Sequence, residues 1–194
     1  MATDDVIETL TSPGGRTDVL AEGVDEQGPY VRFRHRTRHQ GRMAGPHWHP
    51  ALTERFTLVG GALRIVLDGQ VMTPMSGETI TVAPHRVHEF GHDGDGELVF
   101  DHEVRPPGQH RAMFELMHAL DATGRLTRAG LPRNPLAIGL LWGMQDGYIV
   151  GPPPWLQNVL LGGLDRLARR LGLHRRLATA VGRDPHRWDR PGPG

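Results

Sequence analysis

The chain has 194 residues, 38% of them hydrophobic and 23% charged, the make-up of an ordinary globular protein. Its 22 basic residues balance 22 acidic ones, so there is no electrostatic argument for bulk nucleic-acid binding and none is expected. Every basic residue is Arg and there is no Cys. Schiff-base lysines, Walker-type phosphate loops, thiolate nucleophiles, disulfides and sulfur-ligated metals are thereby excluded, and the 12 His leave imidazole and carboxylate as the metal ligands on offer.

The opening MATDDVIETL is acidic and has no apolar run of signal-peptide type, and no later stretch approaches the roughly 18 apolar residues of a spanning helix. A cytoplasmic protein is expected. Residues 1–14 read as an N-terminal arm. From residue 15 to 107, short strand-like runs alternate with Gly turns, as in an antiparallel sandwich or small barrel. Residues 30–39 (YVRFRHRTRH) alternate strictly: Val31, Phe33, His35, Thr37 and His39 share one face, and Arg32, Arg34, Arg36 and Arg38 the other. That Arg stripe reads as a solvated strand face or a dimer contact. Residues 54–59 and 62–67 are apolar runs split by Gly60-Gly61, a hairpin signal; Asp68-Gly69-Gln70 is a second turn. Residues 79–82, 87–90 and 98–104 continue the pattern.

After Pro106-Pro107-Gly108 the period becomes helical, giving an extension over 108–182. Helices are predicted over 111–120, 135–144 and 155–173, the third opened by Pro152-Pro153-Pro154. Basic residues outnumber acidic ones eight to three from Gly151 onward. A basic amphipathic helix can lie on an anionic membrane, so residues 155–176 are a candidate membrane-surface contact. The favoured reading is that their apolar face packs on the barrel or on a second subunit. Residues 183–194 read as a disordered tail.

Chemistry concentrates between Gly41 and His92. His47 and His49 are two apart, so on a strand both imidazoles point the same way, whereas a helix would splay them. Glu54 shares parity with Phe56 and Leu58 and faces inward, where a carboxylate needs a cation. A second segment, Gly77 to His92, carries His88, Phe90 and His92 with common parity.

These two segments resemble the paired motifs of the cupin superfamily. The first, G-x5-H-x-H-x4-E-x6-G, is met from Gly41 through His47, His49 and Glu54 to Gly61 with every spacing kept. The second, G-x5-P-x-G-x2-H-x3-N, holds its spacing from Gly77, but Ala83 stands for the Pro, His85 for the second Gly and His92 for the Asn. His85 at a turn-glycine position requires an altered turn or a positive φ. The resemblance implies a cupin-type double-stranded β-helix (jelly-roll) barrel, all-β, with a C-terminal α-helical extension similar to that of a group of small bacterial cupins. It implies one divalent transition metal, Fe, Ni, Co, Mn or Zn, on His47, His49, Glu54 and His88. The sequence does not rank these ions.

On that basis the expected function is a metal-dependent enzyme acting on a small, mostly apolar, oxygen-bearing molecule. Dioxygenase chemistry, an oxidoreductase reading, comes first. A redox-neutral cyclase, isomerase or lyase and a non-catalytic metabolite-binding module are the alternatives. Glu54 is the candidate base and His92 the candidate proton carrier; His35, Met43, Phe56, Phe90 and Phe100 are candidate pocket residues. His102, like His35 and His85, reads more readily as hydrogen-bonded packing. A homodimer is expected, because small barrels leave edges that need cover.

Overall fold

The computed structural model describes residues 6–127 and 130–189. The chain divides into two compact units, Met1–Pro107 and Gly108–Gly194. Alternation of buried and exposed residues makes the first unit a β-structure. Its strands are β1 (Glu8–Ser12), β2 (Gly15–Asp25), β3 (Gly28–Thr37), β4 (Gly41–Trp48), β5 (Thr53–Gly60), β6 (Leu63–Leu67), β7 (Gln70–Met72), β8 (Thr79–Val82), β9 (His88–His92) and β10 (Leu98–Arg105). One sheet has the order β1-β2-β3-β10-β5-β8, and a second contains β4-β9-β6-β7. All these pairings are antiparallel, as in a jelly roll.

The Gly60-Gly61 signal is a turn of a different kind from the expected hairpin. β5 pairs with β8 and β10 in one sheet, whereas β6 pairs with β7 and β9 in the other, so the two glycines form a corner between sheets. Gly61 has φ 87, and a Cβ there would stand 2.4 Å from the Glu97 carbonyl oxygen. That close approach is why the corner needs Gly. The true two-residue hairpin is Asp68-Gly69, with φ 48 and 83, joining β6 to β7 as a primed turn.

Between the sheets lie Phe56, Leu58, Leu63, Ile65, Ile80, Val82, Leu98 and Phe100. The Arg stripe of β3 is not simply solvated. Arg34 forks onto Asp101, its register partner on β10, with Nε–Oδ1 2.6 Å and Nη2–Oδ2 2.9 Å. Arg36 reaches Asp18 on β2 at 3.9 Å. Cross-strand pairs of this kind each contribute about 0.2–1 kcal/mol.

The arm assigned to residues 1–14 contains β1, which zips against β2 with Leu10 buried. Residues 1–5 lie outside the described residues.

The second unit holds α1 (His110–Ala122), α2 (Pro135–Gln145), α3 (Pro154–Arg170) and α4 (Leu173–Ala180), so the chain as a whole is not all-β. Pro135 at the first helical position and Asn134, whose side chain accepts from the Leu136 N–H at 2.9 Å, start α2. The single helix predicted over 155–173 is broken by Gly172, whose φ of 68 no continuing helix permits.

The tail expected to be disordered is ordered through residue 189; residues 190–194 lie outside the described residues. A short 3-10 turn, Pro185–Trp188, inserts Trp188 fully buried among Leu116, Leu140 and Ala178. Trp188 Nε1 donates to the Glu115 carboxylate at 2.6 Å.

Candidate metal centre

Four side chains from three strands and the turn after β4 converge in the first unit. His47 lies near the end of β4, His49 just beyond it, Glu54 near the start of β5 and His88 at the start of β9. Their ligand atoms lie within 4.8 Å of one another. Donors placed at about 2.0–2.2 Å around one ion are separated by at most roughly 4.4 Å, so a small contraction closes the set. His49, Glu54 and His88 are buried and His47 is half-buried. Register explains the convergence, since His47 stands opposite His88 across β4 and β9.

Hydrogen bonds fix which nitrogen faces the centre. His47 Nδ1 lies 2.7 Å from the Gly45 carbonyl and His88 Nδ1 lies 3.2 Å from the Arg86 carbonyl. A carbonyl only accepts, so each Nδ1 carries a proton, and in the neutral ring each Nε2 then presents a lone pair. His47 is held neutral well into acid: burial, then the neighbouring His88, lowers its pKa from 6.5 to about 4.

Glu54 divides its two oxygens. Oε1 accepts from His102 Nε2 at 2.9 Å. Oε2 lies 2.8 Å from His88 Nε2 and 3.3 Å from His49 Nε2. Neither Glu54 Oε2 nor His88 Nε2 makes a hydrogen bond of acceptable geometry among the described residues. Two lone pairs facing each other at 2.8 Å in a buried space repel unless a cation sits between them. The donor set thus fits a divalent ion: three neutral imidazoles and one carboxylate, leaving two positions of an octahedron open.

The structure brings together all four predicted ligands, but not His92. That residue is buried at the far end of β9, opposite Gly41 and Leu63, four residues or roughly 13 Å along the strand from His88. Common parity was right, but the strand carries His92 away from the centre. The histidine that does reach Glu54 is His102 on β10, stacked on Phe56 at 4.6 Å and 9°. The signal for it was available, because His102 shares the parity of Phe100. Its neighbour His35 lies 5.7 Å away ring to ring and bonds Thr17 Oγ1 at 2.9 Å.

Of the expected pocket residues, Phe56 and Phe100 are fully buried in the inter-sheet core and Phe90 packs on them at 5.0 and 6.1 Å. Met43 is exposed on β4. His35, Phe56, Phe90 and Phe100 therefore form an apolar aromatic layer behind Glu54 and His102.

His85 has φ 64, so the turn keeps the backbone that Gly would adopt and bears the strain. Its N–H donates to the His49 carbonyl at 2.8 Å, tying the turn to a ligand. His85→Gly retains that bond and is expected to raise stability by about 1 kcal/mol, read as an upward shift in Tm.

Residues 34–105 match the Cupin domain family. The barrel is a cupin domain. No curated protein matches the chain. Solved structures similar to it include KdgF from Halomonas sp., 18% identical, covering 50% of this chain and 84% of that one with a TM-score of 0.42. A Klebsiella pneumoniae protein with a double-stranded β-helix domain is 18% identical over 54% of this chain and 86% of its own, TM-score 0.41. The Streptomyces nucleoside dehydratase Pac13 is 18% identical over 53% and 78%, TM-score 0.38. Among the described residues no helix of this cupin is long and apolar enough to cross a membrane.

Proposed function

We propose that this cupin is a metal-dependent enzyme acting on a small, mostly apolar molecule that carries an enol, phenol or carbonyl oxygen, with dioxygen incorporation as the reaction to test first. The observation that supports this most is the complete donor set with Glu54 Oε2 turned to His88 and Oε1 anchored on His102. A bound divalent ion supplies Lewis acidity toward the substrate oxygen and, if redox-active, a route to dioxygen. The chain itself contributes three fixed imidazoles and a carboxylate whose outer oxygen is already hydrogen-bonded. Glu54 would serve as base only with Oε2 released from the ion; His102, donating to Oε1, keeps the carboxyl ionised and anchored for that role. The aromatic layer excludes water on that side and favours an apolar substrate skeleton.

The protein is to be purified without added metal beside a His47→Ala/His88→Ala variant and analysed for elements. Near-stoichiometric iron, nickel, cobalt or manganese in the wild type and none in the variant is expected. Oxygen uptake is then followed with a panel of enolic and phenolic compounds. Turnover of a compound with no oxygen consumed redirects the reading to cyclase, isomerase or lyase chemistry. Absence of metal in both proteins, with none taken up on reconstitution, overturns it.

A further inference from the structure

The helical unit carries its apolar residues on the wrong side of α3. The fully buried residues of α3 are small or polar, Gln157, Gly162 and Ala168, and beside them Leu164 meets the α2 backbone at Gly139. The two helices approach so closely that a Cβ on Gly139 of α2 would meet the Asp165 backbone nitrogen at 2.6 Å. Five large apolar side chains of α3 and its C-cap stand exposed instead. Trp155 is 65% exposed, Val159 60%, Leu160 58%, Leu171 54% and Leu167 46%. Trp155, Val159, Leu167 and Leu171 follow a four-residue spacing through Gly163, which makes one continuous ridge, and Leu160 lies beside it. At 150–250 Å² for a large side chain this leaves roughly 500 Å² of apolar surface in water.

Charge narrows the choice of what covers it. Between residues 148 and 183 there are six Arg and a single acidic residue, Asp165. Asp165 is taken by Arg169 at 2.8 Å, on the side of α3 away from the ridge. Arg166 and Arg170 are exposed on the ridge side, where Arg stems can lie along apolar surface with the guanidinium at its edge. A second copy would set one cationic face against another. It would also need about 800 Å² per partner for a stable interface, more than the ridge offers. A flat, anionic, partly apolar surface answers both features.

We propose that α3 is a membrane-surface helix that lies on anionic phospholipid bilayers, with Trp155, Val159, Leu160, Leu167 and Leu171 entering the headgroup–acyl boundary and Arg166 and Arg170 meeting lipid phosphates. This is independent of the metal centre, whose ligands all lie in the other unit.

The full chain is tested by flotation with vesicles of phosphatidylglycerol and phosphatidylcholine, and of phosphatidylcholine alone. Binding to the anionic vesicles is expected, at least tenfold weaker on the zwitterionic ones and weakened by 0.5 M salt. Leu160→Glu/Leu167→Glu should weaken binding at least tenfold with unchanged circular dichroism and Tm, because both positions are exposed. Arg166→Gln/Arg170→Gln should weaken it on the order of 30-fold, from about fivefold per Arg near the surface. No flotation with anionic vesicles overturns the proposal, as does a Glu double variant that floats like wild type. Light scattering showing a dimer that this variant dissociates would instead make the ridge an interface between copies.

Discussion

Replacing His102 with Phe is expected to weaken metal binding 10- to 100-fold with all four ligands still in place. The phenyl ring keeps the volume and can keep the stack on Phe56, now at 4.6 Å and 9°. What it removes is the donor to Glu54 Oε1. A buried carboxylate oxygen then stands without a partner, a loss of about 1–3 kcal/mol, and Glu54 is free to turn away from the single-oxygen geometry that faces His49 and His88. The acid dependence should change too. Burial alone would raise the Glu54 pKa, but the hydrogen bond from His102, with the imidazoles of His49 and His88 close to the other oxygen, more than reverses it and holds the carboxyl well below 4.5. A carboxyl depressed on folding contributes stability that is present above its unfolded value and is lost as pH falls through the folded one. The metal-free variant should therefore be less stable than wild type at neutral pH, and the gap should close below about pH 4.5. Competition against a chelator and thermal unfolding across pH measure the two effects. His102→Gln, which keeps a donor, should recover part of the affinity. Unchanged affinity in His102→Phe would show that the hydrogen bond to Oε1 does not set the ligand.

Much of this site was legible because ligand spacing and strand parity are local properties. His47 and His49 need only a strand to share a face, and the Gly41-to-Gly61 pattern fixes Glu54 at the start of the next. His92 shows the limit of parity. Parity names the face of a strand but not the distance along it, and only register, His47 against His88 and Gly41 against His92, says which end of β9 meets β4. His102 lies 48 residues from Glu54 in sequence and is brought to it by the β5–β10 pairing, which no spacing encodes. Gly60-Gly61 misled for the same reason, since a tight turn between apolar runs looks alike whether the strands pair or part into different sheets.

In the helical unit the sequence gives the helices but not their packing faces. Helical periodicity marked an apolar stripe on residues 155–173, and the usual inference is that such a stripe is buried. Here Gly139, Gly143 and Gly162 let α2 and α3 pack through small residues, with a Cβ on Gly143 2.8 Å from the Asp165 carboxyl carbon. Close backbone approach, invisible in a hydrophobicity pattern, leaves the large side chains outside.

The tail was misread because composition outweighed a single residue. HRWDRPGPG is polar and rich in Pro and Gly, yet its one large aromatic, Trp188, is fully buried and hydrogen-bonded to Glu115, and Asp189 adds ion pairs to Arg175 and His174. Trp188→Ala is expected to destabilise the helical unit by about 3–5 kcal/mol, a large share of the 5–15 kcal/mol typical of a whole domain. Two terms add. The cavity opens among Leu116, Leu140 and Ala178. The fully buried Glu115 also loses the Nε1 donor at 2.6 Å and keeps Arg187 at 2.9 Å. Trp188→Phe separates them, since most of the volume stays and only the hydrogen bond goes, at about 1–3 kcal/mol. The neighbouring Asp189 fastens the same turn: Arg175 forks onto it at 2.9 and 2.8 Å and His174 Nε2 lies 2.7 Å from Oδ1. Urea unfolding of the three proteins, followed by circular dichroism at the helical band, gives the two increments. An Ala variant within 0.5 kcal/mol of wild type would mean that this turn does not hold the unit together, and the reading of residues 183–189 as a structural clasp would fall.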